Sequence, residues 1–116
     1  MNQEALYQKV MNHICDKIIK KDLVENTVLN EKDYAFENGV SKHIVAKAFN
    51  ELLNLNILAN KNEEYFMSKN AIELAIYFRK ERILGHEFEH IFEVMKLVNI
   101  TREEFFTAYQ TYLAKK

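Results

Sequence analysis

Apolar residues recur at helical spacing through most of the chain, and the places where the rhythm fails divide it. Tyr7, Val10, Met11, Ile14, Ile18 and Ile19 keep to one side and predict a first helix over 4–20. Lys17, Lys20 and Lys21 gather near its C-terminal end, where the helix dipole favours cations. The stretch KDLVENTVL breaks the pattern and reads as a loop. Asn30 is placed to cap a second helix, with Glu31 and Asp33 in its first turn. That helix runs to about Asn38, where Gly39 suits the left-handed position that ends a helix sharply. Ser41 caps a third helix almost at once. Its inner side is Ile44, Val45, Ala48, Phe49, Leu52 and Leu53, and its outer side is Lys42, His43, Ala46, Lys47 and Asn50.

The rhythm then changes. Ile57–Asn60 and Tyr65–Ser68 are short and β-prone, and the polar stretch Lys61–Glu64 lies between them, which predicts a small hairpin. Helical spacing resumes from Asn70, which with Glu73 resembles a capping box, and continues to Val98. Thr101 and Glu104 form a second box opening the last helix. Helix, helix–turn–helix and hairpin, in that order, predict a winged helix. The expected class is mainly α: a winged helix-turn-helix domain over 1–69 with a β-hairpin wing, and a two-helix tail over 70–116.

Composition agrees with a helical protein. The chain has 116 residues, no proline and two glycines, and helices disfavour both residue types. At this length roughly two-thirds of the unfolded surface can be buried. No apolar run approaches the roughly 20 residues that span a bilayer, and the start MNQEALYQKV has no signal-peptide core. The single cysteine, Cys15, excludes an intramolecular disulfide and reads as a small buried apolar residue. The expected location is the cytoplasm. A formal net charge of −1 neither announces nor forbids nucleic-acid binding.

The segment NGVSKHIVAKAFNELLNLNIL resembles the helix–turn–helix of the GntR family of bacterial transcription regulators, and more narrowly that of its small YtrA-type branch. ALYQKVMNHICDKII is similar to the first helix of that branch, and MKLVNITREEF to the start of its final helix. Two stretches depart from the family's pattern. VENTVLN replaces a proline–glycine segment before the second helix, and NKNEEYF replaces a glycine-containing, often basic wing. The resemblance implies a homodimer that regulates transcription by binding double-stranded operator DNA, with an effector unspecified.

The chemistry of the third helix fits that implication. A recognition helix presents its N-terminal residues to base edges in the major groove. Here those residues are Ser41, Lys42 and His43, followed by Lys47 and Asn50 one and two turns on. Lysine donates to guanine or to phosphate, and asparagine pairs with adenine. The resemblance adds Lys32, which matches a DNA-contacting arginine of the family. Charge argues the other way: residues 30–54 carry three lysines against four carboxylates, and Glu63 and Glu64 sit in the wing, where phosphates would approach. A winged-helix module that binds proteins instead of DNA is therefore the alternative, and the wing's charge separates the two.

One motif points elsewhere. HEFEH, His86 to His90, satisfies H-E-x-x-H, which in metalloproteases sets two zinc-binding histidines and a catalytic glutamate on one helix. A catalytic zinc needs a third protein ligand in a sheltered cleft. The remaining histidines, His13 and His43, fall on the first and third helices. His86 and His90 lie about 200° round the helix from the stripe of Leu84, Phe88, Ile91, Met95 and Val98. They are read as solvated histidines with at most adventitious zinc, so no catalytic residue, metal site or cofactor is expected.

The tail has its own signature. Eight of the fourteen aromatic residues lie in the last 48 positions, too many for two helices to enclose. A second copy is expected to cover part of them, with Leu84, Phe88, Ile91, Met95, Phe105 and Tyr109 at the interface. A monomer whose tail folds back on the first domain is the plainer alternative.

Overall fold

The computed structural model describes residues 6–115, so the first two positions of the predicted 4–20 helix lie outside it. The chain divides into two compact units that part between Arg79 and Lys80, within a helix.

The first unit is a winged helix. Helices α1 (Leu6–Ile19), α2 (Glu31–Asn38) and α3 (Lys42–Asn54) are followed by strands β1 (Leu58–Lys61) and β2 (Glu64–Met67) and by α4 (Ala71–Arg82). Ile14, Cys15 and Ile18 of α1 meet Val45, Ala48, Phe49 and Leu52 of α3 in one core, closed by Ile57, Leu58, Ala71 and Ala75. Burial of such side chains stabilises by roughly 1.5–3 kcal/mol each. Cys15 is wholly buried, and burial followed by the charge of Asp16 pushes its thiol up to about 12. It fills space and is not a nucleophile at neutral pH. The Arg79 guanidinium donates to Asp16 at 2.8 Å and joins α4 to α1.

The stops of α1, α2 and α3 follow one mechanism. Gly39 ends α2 at φ 64°, in the left-handed region that suits glycine. Lys21 after α1 and Asn56 after α3 adopt the same region without being glycine. In α3, Ile57 N–H donates to Leu52 and Asn56 N–H to Leu53, the paired bonds of a Schellman motif. Ile57 then enters the core as the apolar residue that accompanies this cap.

The hairpin is antiparallel, with Leu58 opposite Met67 and Lys61 opposite Glu64. Only Asn62 and Glu63 remain in the loop, at φ 55° and 65°. Positive φ at both positions is what a tight two-residue hairpin turn requires. A further rung was not predicted: Leu29, just before α2, pairs with Tyr65 through two backbone hydrogen bonds.

The second unit contains a π turn over Ile83–Glu87, then α5 (Phe88–Leu97) and α6 (Arg102–Ala114). The helix expected to run unbroken to Val98 is therefore interrupted, because Phe88 N–H bonds to Ile83 five residues back. Thr101 and Glu104 form the predicted reciprocal capping box. Asn99, at φ 61°, closes α5 with a second Schellman cap. Phe88 stacks edge-on against Phe92, and Phe92 against Phe105. Among the described residues of this unit none is buried. No helix among the described residues is long and apolar enough to cross a membrane.

Candidate nucleic-acid interface

The third helix is positioned from behind. Val45, Ala48, Phe49 and Leu52 are buried and α1 packs on that side, while the polar residues of the other side are exposed. Phe49 anchors it between Tyr34 and Tyr65, meeting both rings edge-on. The Ser41 hydroxyl accepts from Ile44 N–H at 3.3 Å and fixes where the helix begins. Ser41 therefore acts first as a cap, which leaves its own O–H to donate outward.

On the outer side of α3, Ala46 is half-buried and the polar residues are exposed. Lys42, His43, Lys47 and Asn50 are exposed on α3, and Lys32 is exposed in the first turn of α2. They do not form one uniform patch. Lys32 and Lys42 share a concavity of about 440 Å³ with Asn30, Glu31, Asn60 and Glu63. Two lysines there face two carboxylates, so the hollow is close to electroneutral. Lys47 stands apart, its Nζ 4.5 Å from the centroid of the Tyr7 ring on α1.

The wing is tied to α2 by a contact that sequence spacing did not reveal. The Tyr65 hydroxyl donates to Glu31 Oε2 at 3.1 Å. Burial, then this bond and the Glu31 charge, raise the Tyr65 phenol above its ordinary value. With the Leu29–Tyr65 rung, the bond fixes the wing's base beside the N-terminus of α2. A second polar tie involves Tyr34, one turn further along α2. His13 Nδ1 and the Tyr34 hydroxyl are hydrogen-bonded, and burial pushes the Tyr34 phenol up to about 12. Phe36, on the outer face of α2 one turn after Lys32, is 88% exposed, and no chemistry was assigned to it from sequence.

The residues assigned to an interface between copies are of two kinds. Leu84, Ile91, Phe105 and Tyr109 are exposed, whereas Phe88 and Met95 are half-buried. Val94 and Leu97 are also exposed, and helical spacing puts them on the side of α5 that carries His90. The histidine-bearing side is thus partly apolar, contrary to the simple heptad reading. His86 and His90 are exposed. Among the described residues no group of three or more His, Cys, Asp or Glu is placed to hold a metal ion.

No protein-family model and no curated protein sequence matches the chain. Solved structures do. A transcriptional regulator of the GntR family from Bacteroides thetaiotaomicron superposes with a TM-score of 0.71 at 22% identity, over 96% of this chain and 98% of that one. YtrA from Sulfolobus acidocaldarius, a GntR-family transcription factor, gives 0.56 at 20% identity over 72% of this chain and 90% of its own. BusR from S. agalactiae, solved with its busA promoter DNA, gives 0.64 at 23% identity over 95% of this chain and 58% of BusR. These are similarities of fold, and across almost the whole chain that fold is the one found in GntR-family transcription regulators.

Proposed function

We propose that this chain is a YtrA-type transcription regulator of the GntR family that binds a palindromic operator as a homodimer and represses from it. The observation that carries this reading is the division of α3. Its apolar face is locked into the core, while Lys42, His43, Lys47 and Asn50 remain exposed on the other side. A helix of that kind, on this fold, is what a major groove accepts. That BusR was solved on promoter DNA supports the same use of the fold. A regulator of DNA works in the cytoplasm, and no enzymatic step is assigned to it.

The exposed apolar residues of the second unit support assembly with a second copy. Two-fold pairing would present two recognition helices to two half-sites about one helical turn apart. Lys32 and Lys42 would then act at the duplex, with phosphate contacts setting register and base contacts setting sequence.

One feature favours a second reading, a protein-binding module with little DNA affinity. The wing tip presents Glu63 and Glu64, and Glu63 faces the same hollow as the two lysines. The deciding experiment titrates the promoter region of the protein's own operon, and a random duplex, across a salt series. The operator reading expects tighter binding to the promoter and an affinity that falls with salt. Equal, weak binding to both duplexes would replace it with the module.

A further inference from the structure

We propose that Tyr7 is a positioning residue for DNA binding: its ring holds the Lys47 ammonium on the α1 side of the recognition helix, so that Lys47 meets backbone phosphate and not a base edge. The inference rests on the operator reading above and adds α1 to the nucleic-acid surface.

The geometry is specific. Tyr7 lies in the first turns of α1 and packs as a half-buried residue against the core. Its outer ring face receives Lys47 Nζ at 4.5 Å from the centroid. An ammonium is drawn to that face by the negative side of the ring quadrupole. Lysine is otherwise a point charge on a flexible four-carbon stem, and an exposed one samples many rotamers. Here one approach to the head is occupied by the ring. The ammonium has three N–H donors and no acceptor, so donors remain for a phosphate oxygen.

The direction matters as much as the anchoring. Lys42 and His43 lie at the end of α3 that enters a groove first. Lys47 sits one turn further along and leans toward α1. A cation held at that flank is placed for the phosphate wall of the groove. Phosphate contacts carry no sequence information, so the Tyr7–Lys47 pair should contribute equally on any duplex. Lys42 then retains the sequence-reading role within α3.

The test compares wild type, Lys47→Ala, Tyr7→Leu, Tyr7→Phe and the Tyr7→Leu/Lys47→Ala double variant. Each binds the operon's own promoter duplex and a random duplex across a salt series. Thermal unfolding is run alongside, and leucine is chosen because it preserves apolar packing at position 7. Lys47→Ala should weaken both duplexes alike and shallow the salt slope by about one. Tyr7→Leu should weaken both by roughly two- to fivefold, the range of a partly exposed cation–π contact. Tyr7→Phe keeps the ring and should restore what Tyr7→Leu loses. The double variant should be no weaker than Lys47→Ala alone, since the ring acts only through that lysine.

A Tyr7→Leu protein that binds like wild type while Lys47→Ala is impaired overturns the positioning role and leaves the operator reading intact. So does a double variant whose loss is the sum of the two single ones. A loss confined to the promoter duplex overturns the phosphate assignment. A wild-type protein that prefers neither duplex and shows no salt dependence overturns the operator reading and the positioning role together, and the wild-type isotherms alone reveal it.

Discussion

Helices α3 and α5 are alike in sequence pattern and opposite in outcome. Each is amphipathic at helical spacing. In α3 the apolar side is Val45, Ala48, Phe49 and Leu52, all fully buried. In α5 it is spread over Phe88, Ile91, Phe92, Val94, Met95 and Leu97, and none of these is buried, with Leu97 at 79% exposure. An amphipathic pattern states that a helix needs a cover. It does not state whether the cover is in the same chain. For α3 the cover is α1 and the hairpin; for α5 the rings of Phe92 and Phe105 meet, and most of the apolar surface remains open. An exposed apolar surface of that kind is what the proposed second copy would cover.

The largest effect should come from the covered helix. Phe49→Ala empties a fully enclosed site between Tyr34 and Tyr65 and should cost about 3–5 kcal/mol, independent of protein concentration. Denaturant unfolding at two concentrations measures this. The same core has a pH signature. A thiol whose folded value is raised contributes stability that is complete below its unfolded value and lost as pH rises toward the folded value. For Cys15 the window runs from the ordinary 9.0 to about 12. The denaturation midpoint should fall across that window, and Cys15→Ala should flatten the early part of the fall. Tyr34, raised by burial from 10.0 to about 12, and Tyr65, raised by burial and by Glu31, contribute to the later part.

The open helix should respond in the opposite way. Ile91→Glu places a charge on α5 where the single chain leaves the side chain exposed. In a monomer such a change costs within about 0.5 kcal/mol. Under a second copy it buries an unpaired charge and should weaken association by about 3 kcal/mol or more. Sedimentation equilibrium distinguishes the two. Wild-type protein sedimenting as a monomer at micromolar concentration would end the homodimer reading and erase the contrast between α3 and α5.

The difference between the helices also explains what could be read from sequence. Asn30, Gly39, Ser41 and the Thr101–Glu104 box were legible because each acts within a few residues, and the structure has these caps where they were expected. The inward face of α3 was legible because spacing alone orients it. Contacts that join distant segments were not legible. Tyr65 to Glu31 and Lys47 to Tyr7 depend on which elements the fold brings together, and no local pattern encodes them. The π turn over Ile83–Glu87 was hidden for another reason. One extra residue per turn leaves the apolar count unchanged and shifts only its phase, so the stripe through Leu84 and Phe88 still read as a heptad. The stops at Asn56 and Asn99 carried a signal that went unused, an asparagine followed by isoleucine just past a helical run.

On the polar face of α3 the expected effects are smaller and concern binding, not folding. Lys42→Ala should leave the unfolding midpoint unchanged, because the side chain is exposed. If it meets a guanine, it should cost roughly 1–3 kcal/mol of operator binding and relax preference at one base pair. Selection of bound sequences from random DNA by wild type and variant would locate that position. A variant that selects the same sequences as wild type with unchanged affinity would remove Lys42 from the site.

The smallest effect separates two properties that Glu63 combines. Its backbone is left-handed at φ 65°, which costs an L-residue roughly 1 kcal/mol or more, and its carboxylate faces the hollow that holds Lys32 and Lys42. Glu63→Asn removes the charge and suits the backbone, because asparagine tolerates that region. Glu63→Lys reverses the charge and keeps the strain. Asparagine should therefore raise thermal stability by up to about 1 kcal/mol, and lysine should not. In duplex binding the order should invert. Lysine should strengthen affinity for promoter and random DNA alike, most at low salt, and asparagine should do so by about half as much, since it removes one charge where lysine changes two. Glu64→Lys serves as the control at a position with ordinary strand backbone. If neither lysine variant alters binding at any salt concentration, the wing does not approach phosphate, and the contacts that hold the duplex lie outside it.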